Sequence, residues 1–321
     1  MTEVAAGIHR IEAPLGDRYV CLYLLFGDDC ALLVDTGIDS SDAELVRYTD
    51  AIGFDRSRIR YVLTSHADFD HSGGNGAVRE LCPGAVFLCH ELDRRLIEDV
   101  EALIELRYDE FIADHGIDDG DAVRDFIREH SRHVPVDIGL TGGERLRLGS
   151  GWDVEVLHTP GHSRGHLSLW DPRSRSAVIA DAALWNSVPK ASGEPAFPPT
   201  YRYLDTYLAS IQRLQGMPIE TLLTSHYPAY HVDDVAAFLG ESRAFTERVE
   251  TALRQELASA CEPPTLRELC RTLSPRLGGW DDSAWTSLAY PLLGHLERLQ
   301  SYGLASTERR DGFLAWRWRG P

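Results

Sequence analysis

The sequence predicts a layered α+β domain followed by a smaller, largely helical unit that closes on a β-hairpin. Three observations predict it. Short apolar runs ending in turn residues alternate with helical segments through residues 1–240, the pattern of strands and helices stacked in layers. That alternation is interrupted once, at 91–137, by a charged helical stretch broken by HGIDDGD. From 241 to 321 helical patterns lead into a final hairpin, an order that fits a winged-helix-like unit.

Taken in order, GIHRIEA and VCLYLLF within 7–26 read as short strands joined by the turn-like PLGDR. CALLVDTG at 30–37 is an apolar run that stops in a glycine turn, the mark of a buried strand. Ser40 to Ile52 has an Ala/Leu/Val face at helical spacing. RIRYVLTSH at 58–66 is a second buried strand, and it ends in polar residues. Residues 74–82 read as a helix and AVFLCH at 85–90 as a strand. The insertion at 91–137 is expected to lie over a sheet edge as a lid. ERLRLG, DVEVLHTPGH, HLSLWD, SAVIAD and ETLLTSH then return to strand patterns. The proline-rich stretch 188–201 precedes the helical YLDTYLASIQRL, and loops of that length are often functional.

Bulk properties narrow the function. Hydrophobic residues make up 43% and charged residues 26% of the 321, the mix of a globular protein with a sizeable core. A formal net charge of −18 argues against nucleic acid as a partner of the whole molecule, because phosphate binding needs clustered positive charge. The first residues lack the basic and apolar regions of a secretory signal, and no apolar run reaches membrane-spanning length. Six scattered cysteines without a C-x-x-C read as free thiols in a reducing compartment. The expectation is a cytoplasmic protein that acts on a small molecule away from membranes, with homo-oligomerisation open.

The chemistry concentrates in TSHADFDHSGG at 64–74. His66, Asp68, Asp70 and His71 offer four donors within six residues, just past an apolar strand. An edge loop can converge such side chains on one point, and imidazole with carboxylate is a mixture that zinc, iron and manganese accept. Gly73 and Gly74 are expected to let the chain turn tightly into the next helix.

This segment resembles the H-x-H-x-D-H signature of the metallo-β-lactamase superfamily, and further landmarks follow in family order. VDTG (34–37) is similar to its first motif, HTPGHSRGH (158–166) to its third, VIAD (178–181) to its fourth and TSHYP (224–228) to its fifth. The resemblance covers roughly residues 7–240 and implies an αββα four-layer sandwich with two divalent metal ions. It assigns His66, Asp68 and His162 to one ion, and Asp70, His71 and His226 to the other, with Asp181 bridging. Asp35 would orient the ligand loop, and His166 would support it from behind. The implied reaction is hydrolysis of a small ester, thioester or lactone, a metal-held hydroxide attacking the carbonyl while Asp70 orients it and relays a proton.

Asp68 departs from the family, which usually carries a second histidine there. On the ligands alone, three carboxylates and a hydroxide offset two divalent ions. A formally neutral core should be a weaker Lewis acid. Zinc is the first expectation for the metal, with iron or manganese possible because of the added oxygen donor. Asp68 also keeps open a di-iron redox enzyme on the same fold. A third reading is a metal-domain DNA-binding regulator, with Arg309, Arg310, Arg317 and Arg319 in the wing of the C-terminal unit; structural support or substrate gating is preferred for that unit. Arg164, Trp185, Asn186 and Tyr201 are candidate pocket residues. Tyr201, Tyr203 and Tyr207 sit where a phenol could meet an oxyanion, with helix-face packing expected for at least two of them.

Overall fold

The structure is a computed structural model that describes residues 2–320. Seven strands form the first sheet in chain order: β1 (Thr2–Ala5), β2 (Ile8–Leu15), β3 (Arg18–Phe26), β4 (Ala31–Val34), β5 (Ile59–Leu63), β6 (Val86–His90) and β7 (Ile138–Leu140). Pairing is antiparallel from β1 to β4 and parallel from β4 to β7. The second half of the chain adds β8 (Arg145–Gly149), β9 (Trp152–His158), β10 (Leu167–Asp171) and β11 (Ser176–Ala180). After a small ribbon, β12 (Val188–Pro189) with β13 (Pro195–Phe197), come β14 (Thr221–Thr224) and β15 (Tyr230–His231). The second sheet runs β15-β14-β11-β10-β9-β8, and only its β11–β14 pair is parallel.

Side-chain alternation builds the layers. Tyr23, Leu25, Leu32 and Val34 point between the sheets against Val154, Val156, Leu169 and Val178. Their neighbours Leu22, Leu24 and Leu33 face outward and pack with Leu45 and Val78 of helices Asp42–Ala51 and Asn75–Leu81. On the opposite side Leu157, Ala177, Ile179 and Leu222 lie under helices Leu204–Gln215 and Asp233–Ser259. The result is the expected αββα sandwich.

Some details differ from the sequence reading. β1 and β7 extend the first sheet at both edges, where three or four residues give too little pattern to read. The PLGDR turn is shorter than expected. Pro14 and Leu15 still pair with Tyr19 and Arg18, so Gly16 and Asp17 alone make the connection, Gly16 at φ +61°. All six cysteines are free. Among the described residues no helix is long and apolar enough to cross a membrane.

The insertion is a chain of short helices, Arg94–Glu98, Val100–Leu103, Ile112–His115 and Asp121–Glu129, with a π-helical turn at Ile104–Tyr108. The C-terminal region contributes helices Leu266–Leu277 and Ala289–Ser301 and the hairpin β16 (Ala305–Arg310)–β17 (Phe313–Trp318). Helix Asp233–Ser259 passes unbroken through the 240/241 boundary. One apolar cluster runs from Ile179 and Tyr207 through Phe245 to Leu269, Leu292 and Trp316. Polar contacts reinforce it: Tyr201 Oη lies 2.9 Å from His295 Nε2, and Arg202 grips both Glu297 oxygens at 2.7 and 2.9 Å.

Candidate metal centre

The parallel strands β4 and β5 deliver two loops to the same edge of the sandwich. Asp35 follows β4 with φ +60°, a left-handed conformation that an aspartate tolerates better than most residues. Its carboxylate accepts from Ser65 N at 2.6 Å and Ser65 Oγ at 2.8 Å and meets His71 Nδ1 at 2.9 Å. One buried side chain thereby fixes both ends of the His66–His71 loop. Gly73 and Gly74 serve differently from the turn expected of them. Both have ordinary helical φ, −62° and −81°. What they supply is room: a Cβ on Gly74 would lie 2.3 Å from Thr36 O, and one on Gly73 2.7 Å from His130 O.

All seven proposed donors converge. They form three overlapping groups, His66/Asp68/His162, Asp70/His71/His226 and His66/His71/Asp181, each with donor atoms within 4.8 Å of one another. His162 Nε2 is 2.9 Å from Asp68 Oδ2, and His66 Nε2 is 3.8 Å from it. His71 and His226 Nε2 lie 3.9 and 3.6 Å from Asp70 Oδ2. The same two nitrogens lie 3.9 and 3.4 Å from Asp181 Oδ2, which stands between the sets. Each imidazole is held by its other nitrogen: His66 faces Ser65 Oγ at 3.0 Å, His162 Thr200 O at 3.1 Å, and His226 Tyr19 O at 3.0 Å. His71 has Asp35. Four rings therefore present Nε2 inward with their orientation fixed.

His166 lies behind this array. Its Nδ1 meets Thr159 Oγ1 at 3.0 Å and its Nε2 accepts from Asp181 N at 3.2 Å, so it holds the Asp181 backbone and points no free nitrogen inward. Ala180, just before Asp181, takes φ +42° at an irregularity in the β11–β14 pairing, which swings Asp181 out of the strand.

An unanticipated residue completes the site. Arg107, in the π-helical turn, donates from Nε to Asp68 Oδ1 at 2.9 Å and from Nη2 to Asp68 Oδ2 at 3.1 Å. Tyr290 of the C-terminal region fixes it, its ring centroid 4.2 Å from the guanidinium and its Oη donating to Arg107 O at 2.9 Å. Burial alone would raise the Asp68 pKa; the charges of Arg107 and His162 outweigh it and hold that carboxyl well below the usual range. Arg107 also corrects the charge count made from the ligands alone. It would add one positive charge to the neutral count expected for a two-ion core. In the metal-free chain His71 is pushed up to about 10, burial being outweighed by Asp70, Asp35 and Asp181. His66 falls well below its ordinary value through burial, then His71 and His162.

The donors open into a cavity of about 250 Å³. Tyr108, Asp119 and Val123 of the insertion, Phe197 and Thr200 of the 188–201 loop, and Ser287 and Tyr290 of the C-terminal region line it. The 91–137 insertion and the 188–201 loop thus both contribute to its wall. The four candidate pocket residues are not among its lining. Tyr201 is fully buried, stacked on Tyr207 at 4.5 Å, with its hydroxyl spent on His295. Tyr207 Oη accepts from Leu184 N, so neither phenol faces an oxyanion. Arg164 lies over Tyr203, its Nε 3.1 Å from Tyr203 Oη. Trp185 stacks on Phe238 and Asn186 donates to Glu241, beside a separate cavity. Arg107 and Tyr108 line the cavity instead, and no local motif marks either one.

The residues fit a metal centre on a structural observation. His66 Nε2, His71 Nε2 and Asp181 Oδ1 are buried with no hydrogen-bond partner. Such atoms are costly in a protein interior unless something satisfies them, and these face the convergence point. Nitrogen and oxygen donors suit divalent transition metals.

An αββα sandwich with clustered histidines and aspartates at one edge defines a class of metal-binding proteins. A family model described as the metallo-beta-lactamase superfamily matches residues 15–226, and the chain belongs to that superfamily. A hydroxyacylglutathione hydrolase of Nitrosococcus oceani is 28% identical over 130 residues, 40% of this chain and 35% of that one, so the match spans about a third of that relative. The human acyl-coenzyme A thioesterase MBLAC2 is 23% identical over 231 residues, 65% of this chain and 73% of that protein. The crystal structure of a metallo-beta-lactamase family protein from Thermus thermophilus superposes with a TM-score of 0.78 at 25% identity. It covers 99% of this chain and 100% of its own, so the likeness extends through the C-terminal region. Relatives bearing hydrolase names and the clustered donors support hydrolase activity and divalent-metal binding in general.

Proposed function

We propose that this chain is a binuclear metal-dependent hydrolase of small thioesters, with simple esters and lactones as related substrates. His66, Asp68 and His162 would hold one ion, Asp70, His71 and His226 the other, with Asp181 between them. The observation that carries the reading is the set of four imidazoles, each fixed through Nδ1 and aimed inward through Nε2. When bound, divalent ions supply Lewis acidity for a carbonyl and lower the pKa of water.

The protein's own groups do the rest. Asp70, 9% exposed at the cavity floor, is placed to accept a proton from an attacking water and pass it to the leaving group. Phe197 and Tyr290 cover the cavity with aromatic surface, which excludes water around an acyl chain. A volume of about 250 Å³ suits a short acyl group. Thioesters lead because one relative described above is named an acyl-coenzyme A thioesterase. Zinc in a cytoplasmic setting remains the first choice of metal.

One observation favours the redox alternative, the third carboxylate that Asp68 adds to a donor set of four histidines. For DNA binding the structure offers less. Arg309 pairs with Asp114 at 2.7 Å, Arg310 with Glu268, and Arg317 with Glu308 at 3.1 Å, while Arg319 donates to Ser306. Those cations are engaged within the chain, in keeping with a structural role. The test is a panel of short-chain S-acyl thioesters, p-nitrophenyl esters and lactones, assayed with zinc-loaded protein. Turnover abolished by chelator and restored by zinc is expected; failure on the entire panel, or turnover indifferent to chelation, contradicts the reading.

A further inference from the structure

We propose that Asp68 and Arg107 act as one neutral unit at the metal centre, positioned by Tyr290, so that Asp68 cannot be exchanged for an uncharged ligand unless Arg107 is removed with it. The inference rests on the metal-binding reading above and concerns how this chain maintains its site.

Arg107 is only 7% exposed, and Asp68 is its one carboxylate partner among the described residues. The pairing is bidentate, through Nε and Nη2 to separate carboxylate oxygens, the arrangement in which a guanidinium also fixes the plane of its partner. Asp68 Oδ2 bonds Arg107 Nη2 at 3.1 Å and lies 2.9 Å from His162 Nε2, and Arg107 Nη2 is itself 3.4 Å from that nitrogen. The arginine thus determines how that oxygen meets the His66/Asp68/His162 group. Beyond Arg107 stands Tyr290, whose ring and hydroxyl hold the guanidinium and the backbone of the π-helical turn. The chain of contacts runs from C-terminal helix to insertion to donor loop. It gives the C-terminal region a part in the centre that does not require touching an ion.

Formal charge makes the pair indivisible. Together the two residues contribute zero. A histidine at 68 with Arg107 retained contributes +1 beside any bound cation and leaves a buried guanidinium with no anionic partner, an arrangement that is strongly disfavoured. A histidine at 68 with an apolar residue at 107 again contributes zero. Arg107 is accordingly a positioning residue, acting on the metals through Asp68.

The experiment compares wild type, Asp68→His, Arg107→Met and Asp68→His/Arg107→Met by cobalt titration, reading ions bound per chain and the visible cobalt spectrum, and by thermal melting of chelated protein. Asp68→His alone is expected to bind cobalt at least about tenfold more weakly and to melt roughly 5 °C lower or more. The double variant is expected to recover both. Effects that simply add, so that the double variant is no better than Asp68→His, overturn the proposal. If Asp68→His is not recovered folded, Asp68→Asn with and without Arg107→Met poses the same question. Wild type that takes up no cobalt defeats the metal reading instead, and the melting comparison of chelated proteins still decides whether the pair is a unit.

Discussion

Asp35 Oδ2 sits 2.9 Å from His71 Nδ1 while both oxygens of the same carboxylate are tied to Ser65, so one aspartate at the end of β4 sets the geometry of the loop after β5. Its left-handed backbone shows what that placement demands of the chain. Asp35→Ala frees the His71 ring and leaves Ser65 N without its partner. The expected result is metal affinity lowered roughly 10–100-fold at the Asp70/His71/His226 group. Cobalt titration measures it, and affinity equal to wild type would show the loop is held without Asp35.

Asp181 is the one carboxylate that faces donors of both sets. Asp181→Ala should therefore cost more than the roughly 10–100-fold typical of a supporting residue, in turnover and in bound metal together. Steady-state assay beside metal counting checks this. Full activity with a single ion would replace the binuclear reading with a mononuclear one.

Gly161 precedes His162 at φ +149°, and a Cβ there would lie 2.4 Å from Tyr207 Cα. Its carbonyl also receives both Arg202 N and Tyr203 N at 2.8 Å. Gly161→Ala must move helix Leu204–Gln215 or the His162 loop. A stability loss of roughly 1–3 kcal/mol is expected, with weakened metal binding. Denaturant melts read the first effect and cobalt titration the second; an unchanged midpoint counts against the close packing.

The contact between Glu250 and His295 carries a pH dependence. His295 Nδ1 faces Glu250 Oε2 at 3.4 Å, and the Glu250 pKa is lowered to about 2, by this contact with His295 first, then by Arg254, which donates to the same carboxylate. A carboxyl whose pKa is depressed on folding stabilises the fold above its unfolded value near 4.5 and loses that contribution as pH falls towards 2. Glu250→Gln should lower Tm at pH 7 and approach wild type as the pH drops through that window. Thermal melts from pH 7 to 3 test it, and a gap that stays constant would show that Glu250 contributes no charge-dependent stability.

The fold was readable because its strands are long enough to show alternation or an unbroken apolar run, as in CALLVDTG. The seven donors were readable because each lies in a short, distinctive loop at a strand end. Arg107 was not. It stands 39 residues from Asp68 among other arginines of the insertion, and only the path of the π-helical turn selects it. Tyr201 misled for the converse reason. A tyrosine at a loop-to-helix boundary suits a pocket as well as a core, and its partner His295 lies 94 residues further on. Gly73 and Gly74 mark close approach to backbone from other segments, which sequence cannot tell apart from a turn.

Whether the seven donors hold a binuclear centre is decided by elemental analysis of protein purified without added metal or chelator, counted per folded chain. Close to two divalent ions are expected, zinc for the hydrolase; two of iron would shift the chemistry to the redox alternative while keeping the centre. Folded protein that carries no metal and takes up none on addition would contradict the binuclear reading.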